Sequence, residues 1–369
     1  MIIKKFSAAG FRNIEKCSIE FSEGLNLLHG MNAQGKTNAL EGIYVFARGR
    51  SFRAREDKEL IRFGSDGFNL KIEYSDKNGE QSLEYSLYGR ERLRKKNGYR
   101  LKGVSEMLGS FRAVLFYPDN LEIVKGGPDE RRDFLNIAIS QSYPEYIKYY
   151  SSYKKALENR NCLLKAAQKG LFADENEIYS WSYVMAEYAS FIYIMRDEYV
   201  ERIKPHSSGI MSEISSGKEK MDIEYSSDIS AGIKDRTKVK EEYVRVFTSS
   251  IDREKGAGVS LYGPHRDDLL IKINGNNSRI YASQGQQRSL VLALKLSEGE
   301  VIKDICGEYP IYLFDDVLSE LDAGRREYVL KGLEGKQIII TSCESEEYEN
   351  LGARIIEVTE GDYVSAYRQ

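Results

Sequence analysis

The run Gly30-Met31-Asn32-Ala33-Gln34-Gly35-Lys36-Thr37 has the spacing G-x-x-x-x-G-K-[ST], and the chemistry of that pattern is phosphate binding. Glycines let the backbone fold tightly, so that successive N–H groups and a helix N-terminus face an anion. Contacts to a nucleotide would fall to Gly30, Asn32, Ala33, Gln34, Gly35, Lys36, Thr37 and Asn38. Lys36 brings a point charge, and the Thr37 hydroxyl can take one Mg²⁺ position. A second metal carboxylate is needed at the end of a neighbouring strand. The apolar run 311–314 supplies it by ending in Asp315-Asp316. Asp315 is placed to hold Mg²⁺, and Asp316 to orient or deprotonate an attacking water as the catalytic group. A third element, Ser283-Gln284-Gly285-Gln286, puts hydroxyl and amide donors at the start of an apolar helix, which makes a second anion-binding surface.

Positioning these groups requires strands and helices in a particular order. A strand at 25–28 precedes the phosphate loop, and a helical stretch through Ala39, Ile43 and Phe46 follows it. From Ile2 to about Val114, strand-like runs at 68–74 and 83–87 alternate with turn dipeptides such as Asn78-Gly79 and Asn97-Gly98. From about Asn120 to Phe247 apolar residues recur at three- and four-residue steps, as in Trp181, Met185, Tyr188, Phe191 and Ile192, which predicts helix. Strand character returns after about Gly256. There 268–274 and 278–282 read as a hairpin, 286–302 as a helix, and 311–314 and 337–341 as strands. The expected architecture is α/β, a P-loop head formed by 1–115 and 257–369 and split by a mostly helical second lobe at 116–256. The insertion sustains no heptads of the length a long coiled coil requires.

Composition narrows the class. The chain has 369 residues, 41% hydrophobic and 30% charged, with a net charge of −3. That balance excludes a globally basic nucleic-acid coat but allows a local patch. Cys17, Cys162, Cys306 and Cys343 are far apart, as are His29, His206 and His265, so no zinc ribbon or disulfide framework is read. No stretch reaches the roughly 18–20 apolar residues of a membrane helix, and the first ten residues lack the apolar run of a signal peptide. A cytoplasmic protein with no membrane contact is expected.

The ordered set of motifs resembles the ATP-binding-cassette ATPases, whose signature loop reads S-G-G-Q. Ser319-Glu320-Leu321-Asp322 looks like the D-loop of that class, with Ser319 and Asp322 at its ends. A switch histidine is absent after the strand that ends in Thr341-Ser342, unlike transporter ATPases. Over nearly the whole chain the resemblance is to the RecF family of bacterial recombinational-repair ATPases, which have an SMC-like head. Further runs carry it: Gly10-Phe11-Arg12-Asn13-Ile14, Gly49-Arg50-Ser51-Phe52-Arg53, Tyr117-Pro118-Asp119, Gly127-Pro128-Asp129-Glu130-Arg131-Arg132 and Gly263-Pro264-His265-Arg266-Asp267-Asp268-Leu269. Asn120 and Asn136 stand where the family usually has aspartates. The resemblance implies ATP and Mg²⁺ as cofactors and an ATP-dependent homodimer. In that dimer Ser283, Gln284, Gly285 and Gln286 close the partner's site across the seam. It also implies binding to double-stranded DNA or gapped duplex, and work with RecR and RecO to load recombinase.

Arg92, Arg94, Lys95, Lys96 and Arg100 belong to a basic run at 90–102 that can neutralise phosphates without reading sequence. The run reads equally well as a solvated hairpin. Arg50 and Arg53 are read as structural or nucleotide-proximal, and His265 as a packing histidine. Two functional readings stay open: a slowly hydrolysing ATPase that clamps DNA, and an ATP-gated structural or signalling module without productive hydrolysis. A small-molecule kinase would leave 283–288 and 319–322 unexplained.

Overall fold

The computed structural model describes residues 1–229 and 232–365. Two six-stranded sheets build the head. The first is antiparallel, in the order β2-β1-β4-β5-β6-β7, from β1 (Ile2–Phe11), β2 (Ile14–Glu20), β4 (Gly67–Asp76), β5 (Gly79–Tyr88), β6 (Glu91–Lys96) and β7 (Tyr99–Arg100). Asn78-Gly79 and Asn97-Gly98 form the turns their sequence predicts, since these residues tolerate the backbone a tight hairpin needs. A register shift between Ile3 and Lys5 lets Ile3 and Phe6, three residues apart, both face the core.

The second sheet, in the order β15-β14-β3-β13-β12-β8, is parallel except for its last strand β15. It comprises β3 (Leu25–His29), β8 (Ala113–Phe116), β12 (Ile311–Asp315), β13 (Ile338–Ser342), β14 (Arg354–Thr359) and β15 (Asp362–Ser365). The central strands are buried on both faces, which explains their near-continuous apolar runs. Helix α1 (Lys36–Arg48) lies between the two sheets, and Leu40, Ile43 and Phe46 join one core with Phe6, Leu70, Leu313 and Ile339. On the other face lies the 23-residue helix α10 (Gln284–Cys306). A Cβ at Gly299 would sit 2.0 Å from the Tyr312 hydroxyl, so only glycine permits this approach of helix to sheet. Helix α11 (Ala323–Gly332) completes that side through Val329.

The second lobe contains α4 (Pro128–Ser142), α5 (Glu145–Gln168), α6 (Glu175–Ile214) and α7 (Arg236–Ser249). Short helices α2 (Val104–Met107), α3 (Glu122–Lys125), α8 (Ile251–Ala257), α9 (Ser278–Tyr281) and α12 (Glu346–Asn350) fill the connections. Helix α6 has 40 residues and buries Met185, Ala189, Ile192 and Tyr199 along one stripe, while Trp181, Tyr188 and Phe191 are partly buried beside it. Asp174 starts it by accepting a hydrogen bond from the Asn176 N–H.

Three features differ from the sequence expectation. The helical insertion contains a strand, β9 (Met221–Ser226), which pairs antiparallel with β10 (Asp268–Ile273). That pairing brings Leu269, Ile271 and Ile273 into the lobe core, beyond the expected boundary at 256/257, because β9 has no other strand to bond. At the other end Phe116 pairs in β8 with Phe314, so that residue lies in the head sheet. The expected hairpin partner at 278–282 is a helical turn. The return after β10 pairs with it over two residues, β11 (Asn276–Asn277), after which Asn277 caps α9.

Candidate nucleotide-binding site

The strand order places the site. Strand β13 lies between β3 and β12, so His29-Gly30, Thr341-Ser342 and Asp315 emerge side by side at the carboxyl ends of three neighbouring parallel strands. Open α/β sheets bind ligands at that edge. A cleft of about 260 Å³ opens there, lined by Asn32, Ala33, Gly35, Lys36, Thr37, Asn38, Arg53 and Asp316.

Gly35 precedes α1 with φ 112°, and a Cβ there would lie 2.8 Å from the Asn13 amide, so the loop closes only around glycine. Side chains from distant segments brace it. Asn13 donates to the Gln34 carbonyl at 3.1 Å and accepts from Asn38 at 2.7 Å. The turn between β14 and β15 donates the Glu360 N–H to the Gln34 side chain and the Gly361 N–H to its carbonyl. The Tyr363 hydroxyl donates to the Gly35 carbonyl at 2.7 Å. The Lys36 ammonium donates to the carbonyls of Gly30 at 2.5 Å and Met31 at 3.2 Å, and lies 3.2 Å from Cys343 Sγ. Cys343 in turn meets Asn32 Oδ1 at 3.1 Å.

Thr37 donates to Asp315 Oδ1 at 2.7 Å, and Thr341 donates to the same oxygen at 3.1 Å. Thr341 also accepts the Asp316 N–H at 2.9 Å. Burial pushes the Asp315 carboxyl above its ordinary value, the Thr37 bond opposes this, and the adjacent Asp316 charge adds to it. A hydroxyl and a buried carboxylate in contact are hard oxygen donors, and they fit Mg²⁺, which takes its other ligands from water and phosphate. Asp316 sits at φ 55°, in the left-handed region that non-glycine residues enter at a cost of roughly 1 kcal/mol. Its backbone therefore turns sharply out of β12, and its side chain borders the cleft.

The signature residues stand elsewhere. Ser283 and Gln284 are exposed, and none of Ser283, Gln284, Gly285 and Gln286 lines the P-loop cleft. They form the N-terminus of α10 as a capping box, with Ser283 accepting from Gln286 N and Gln286 accepting from Ser283 N at 2.8 Å. Gln286 also donates to Glu219 at 2.8 Å. Ser319 donates to the Asp316 carbonyl at 2.7 Å, and Asp322 caps α11 through the Arg325 N–H. That bond, with the Arg325 charge and against the opposing effect of burial, holds the Asp322 carboxyl below its ordinary value. Arg325 then donates to Ser289 at 2.9 Å, while Arg288 donates to the Glu320 carbonyl at 2.8 Å. These two arginines join the start of α10 to the segment 319–325 as one surface.

The sequence reading missed Thr341, Cys343, Gly361 and Tyr363 because no spacing links them to the loop they support. It left the roles of Arg53 and Asn13 undetermined. Arg12, Ser51 and Arg53 converge on the fully buried Glu41 of α1. Arg12 forms a two-point pair at 2.9 and 2.6 Å, Arg53 donates at 2.7 Å, and Ser51 donates to Oε1. Burial disfavours the Glu41 charge, but these donors outweigh it and hold the carboxyl below its ordinary range. The basic run at 90–102 lies on β6 and β7 at the edge of the antiparallel sheet. Arg92 pairs with Asp57, Lys95 with Glu84 and Arg100 with Glu91; Arg94 lies over the Tyr85 ring, and Lys96 donates to Ser110.

Residues 2–365 match the RecF/RecN/SMC N-terminal domain family. The chain is 38% identical over 353 residues to the DNA replication and repair protein RecF of Acetivibrio thermocellus, covering 95% of each chain. With the RecF of Clostridioides difficile it shares 35% over 369 residues, 99% of this chain and 98% of that one. The solved structure of the recombination mediator protein RecF-ATPrS of the RecFOR pathway superposes with a TM-score of 0.93 at 36% identity, over 99% of this chain and 98% of the other. The Smc head domain of Pyrococcus furiosus shares the fold, with a TM-score of 0.55 at 20% identity, over 98% and 95% of the two chains. With its P-loop head and helical second lobe, the chain belongs to the RecF family, within the wider RecF/RecN/SMC group.

Proposed function

We propose that this chain is an ATP-dependent DNA-binding protein of recombinational gap repair and replication-fork maintenance. In this reading two copies sandwich ATP, and the dimer clamps duplex DNA or duplex–gap junctions and works with RecO and RecR to load recombinase. The observation that carries it is the position of Ser283–Gln286. These residues crown an exposed helix N-terminus, outside the P-loop cleft of their own chain and tied to the D-loop through Arg288 and Arg325. A phosphate-binding surface so placed suits the nucleotide of a second copy. The names of the relatives, DNA replication and repair proteins and a recombination mediator, support the biological setting.

Each residue has a task in this scheme. The loop amides and Lys36 hold the phosphate chain, and Thr37 with Asp315 holds Mg²⁺, which would neutralise phosphate charge. Asp316 orients water, and its side chain is one methylene shorter than a glutamate. Misplacement by about 1 Å can lower a rate on the order of 100-fold, so hydrolysis should be slow, a timer rather than a motor. The expected turnover is below about one per second, in the low range for enzymes; a much faster steady-state rate would contradict the timer. No ATP cleavage in a single-turnover assay would favour the non-hydrolysing module.

Light scattering with and without Mg-ATP, on wild type and Lys36→Met, tests the sandwich. ATP should double the mass of wild type and leave the variant monomeric. Wild type that stays monomeric at saturating ATP would remove the role assigned to Ser283–Gln286.

A further inference from the structure

Helix α5 carries exposed Lys148, Lys154, Lys155, Lys165 and Lys169 along its length and just past its C-terminal end. At 100° per residue the five fall within an arc of about 120°. The opposite face holds the buried Tyr146, Tyr153, Ala156, Arg160 and Leu164. Glu158 is the one acid on the lysine face, and none of the five lysines enters an ion pair among the described residues. Unpaired cations of one sign, with Lys165 and Lys169 four residues apart, disfavour an isolated helix. The basic run on β6 and β7 differs: three of its five candidate residues are already paired with Asp57, Glu84 and Glu91.

We infer that the lysine face of α5 meets the sugar–phosphate backbone of duplex nucleic acid. This rests on the proposed DNA-binding function and names the surface that performs it. Charge complementarity supports it, since a row of free cations in a chain of net charge −3 is a local field of the sign phosphate needs. Length supports it too. Lys148 to Lys169 spans about 32 Å at 1.5 Å per residue, close to the roughly 34 Å of one duplex turn. Five ammonium groups without a planar hydrogen-bonding fork suit backbone contact and not base reading. A cleft of about 550 Å³ beside α5, which Lys154 also lines, has Arg48, Arg50 and Arg132 matched by Asp129, Glu130 and Asp133. That cleft is nearly neutral, so the surface is confined to the helix face.

The test measures full-length protein binding to a 30-base-pair duplex, with a non-hydrolysable ATP analogue and Mg²⁺, across a salt series. Wild type is compared with the variant carrying Lys→Ala at 148, 154, 155, 165 and 169, and with Arg92→Ala/Lys95→Ala/Arg100→Ala. Each neutralised phosphate adds about 0.9 to the slope of log affinity against log salt. The α5 variant should therefore bind at least about ten-fold more weakly, with a slope flatter by about 3 to 4.5. A thermal melt checks that it is folded; if five changes unfold it, Lys155→Ala/Lys165→Ala/Lys169→Ala is read instead, with a slope flatter by about 2 to 2.7. Wild-type binding left unchanged in the folded α5 variant, or lost only in the β6–β7 variant, overturns this surface and leaves the proposed function standing. Absence of duplex binding by wild type overturns both.

Discussion

At the scale of single residues, one buried charge ties together runs that the sequence keeps apart. Arg12 is far in sequence from Ser51 and Arg53, yet all three end on Glu41, which is buried in the helix that begins with Lys36. Glu41→Gln keeps the volume but leaves two guanidinium groups under-paired. Removing one partner of a buried pair costs about 3–5 kcal/mol, and the partial exposure of both arginines lowers this to roughly 2–4 kcal/mol. Urea denaturation at pH 7 measures it, and a loss below about 1 kcal/mol would show that the cluster is solvated. His265 shows the opposite logic. Burial lowers its pKa to about 4, and its ring nitrogens meet the Tyr153 hydroxyl at 2.7 Å and the Ser260 carbonyl at 3.1 Å. The unfolded chain takes up this proton near the ordinary 6.5 and the folded chain only near 4, so stability falls as pH drops through that window. The slope is at most about 1.4 kcal/mol per pH unit. Denaturation midpoints at pH 7, 6 and 5 should fall less steeply in His265→Gln than in wild type; equal slopes would mean that the imidazole protonates in place. Asn136 Oδ1 accepts both Tyr146 at 2.7 Å and Arg196 at 2.9 Å. The buried Arg196 also faces Asp267 at 3.6 Å, so its charge keeps a partner without a carboxylate at 136.

At the scale of elements, local sequence succeeded where one segment carries its own signal. The strand–loop–helix around 30–37, the helix after Ser283 and the strand before Asp315 appear as expected, because apolar runs, glycines and a capping box act within a few residues. It failed where a segment's state depends on a distant partner. Residues 221–226 read as part of a helical insertion, yet they form a strand because β10 offers an edge to bond. Residues 278–281 read as the return strand of a hairpin, yet Asn277 accepts from the Arg279 N–H and starts a helical turn. The capping box of α10 carries a prediction at this scale. Ser283→Ala removes its accepting side and should cost about 1 kcal/mol of stability. Dimer formation with ATP should fall much further if Ser283 also meets a second copy's phosphates. Thermal melts read the first effect and light scattering the second; equal modest effects would confine Ser283 to capping.

At the scale of the molecule, α10 joins head and lobe. Leu290, Val291, Ala293 and Leu294 pack into the lobe core, while Leu292, Leu296 and Ile302 pack against the parallel sheet. A helix buried on both sides should couple the unfolding of the two bodies. Leu292→Ala and Leu294→Ala should each cost about 2–4 kcal/mol, and each should shift one common transition. The single tryptophan, Trp181 in α6, reports the lobe, and far-UV circular dichroism reports the whole chain. Coincident midpoints in the head-facing Leu292→Ala would establish the coupling; separate midpoints would show that the lobe unfolds alone. Among the described residues no helix is long and apolar enough to cross a membrane.

The sequence by itself determined where the loop Gly30–Thr37, the helix start Ser283–Gln286 and the strand end Asp315-Asp316 fall, because glycines, a capping box and an apolar run act within a few residues. It also determined that helices divide the head. Tertiary structure decided what braces the loop, from Asn13, Cys343, Gly361 and Tyr363, and that Glu41 binds two arginines of separate runs. It decided as well that the basic hairpin is mostly paired while, among the described residues, the lysines of α5 enter no ion pair. Hydrogen bonds and ion pairs form between groups within a few ångströms in space, and their separation along the chain has no bearing on that distance until the sheets set it.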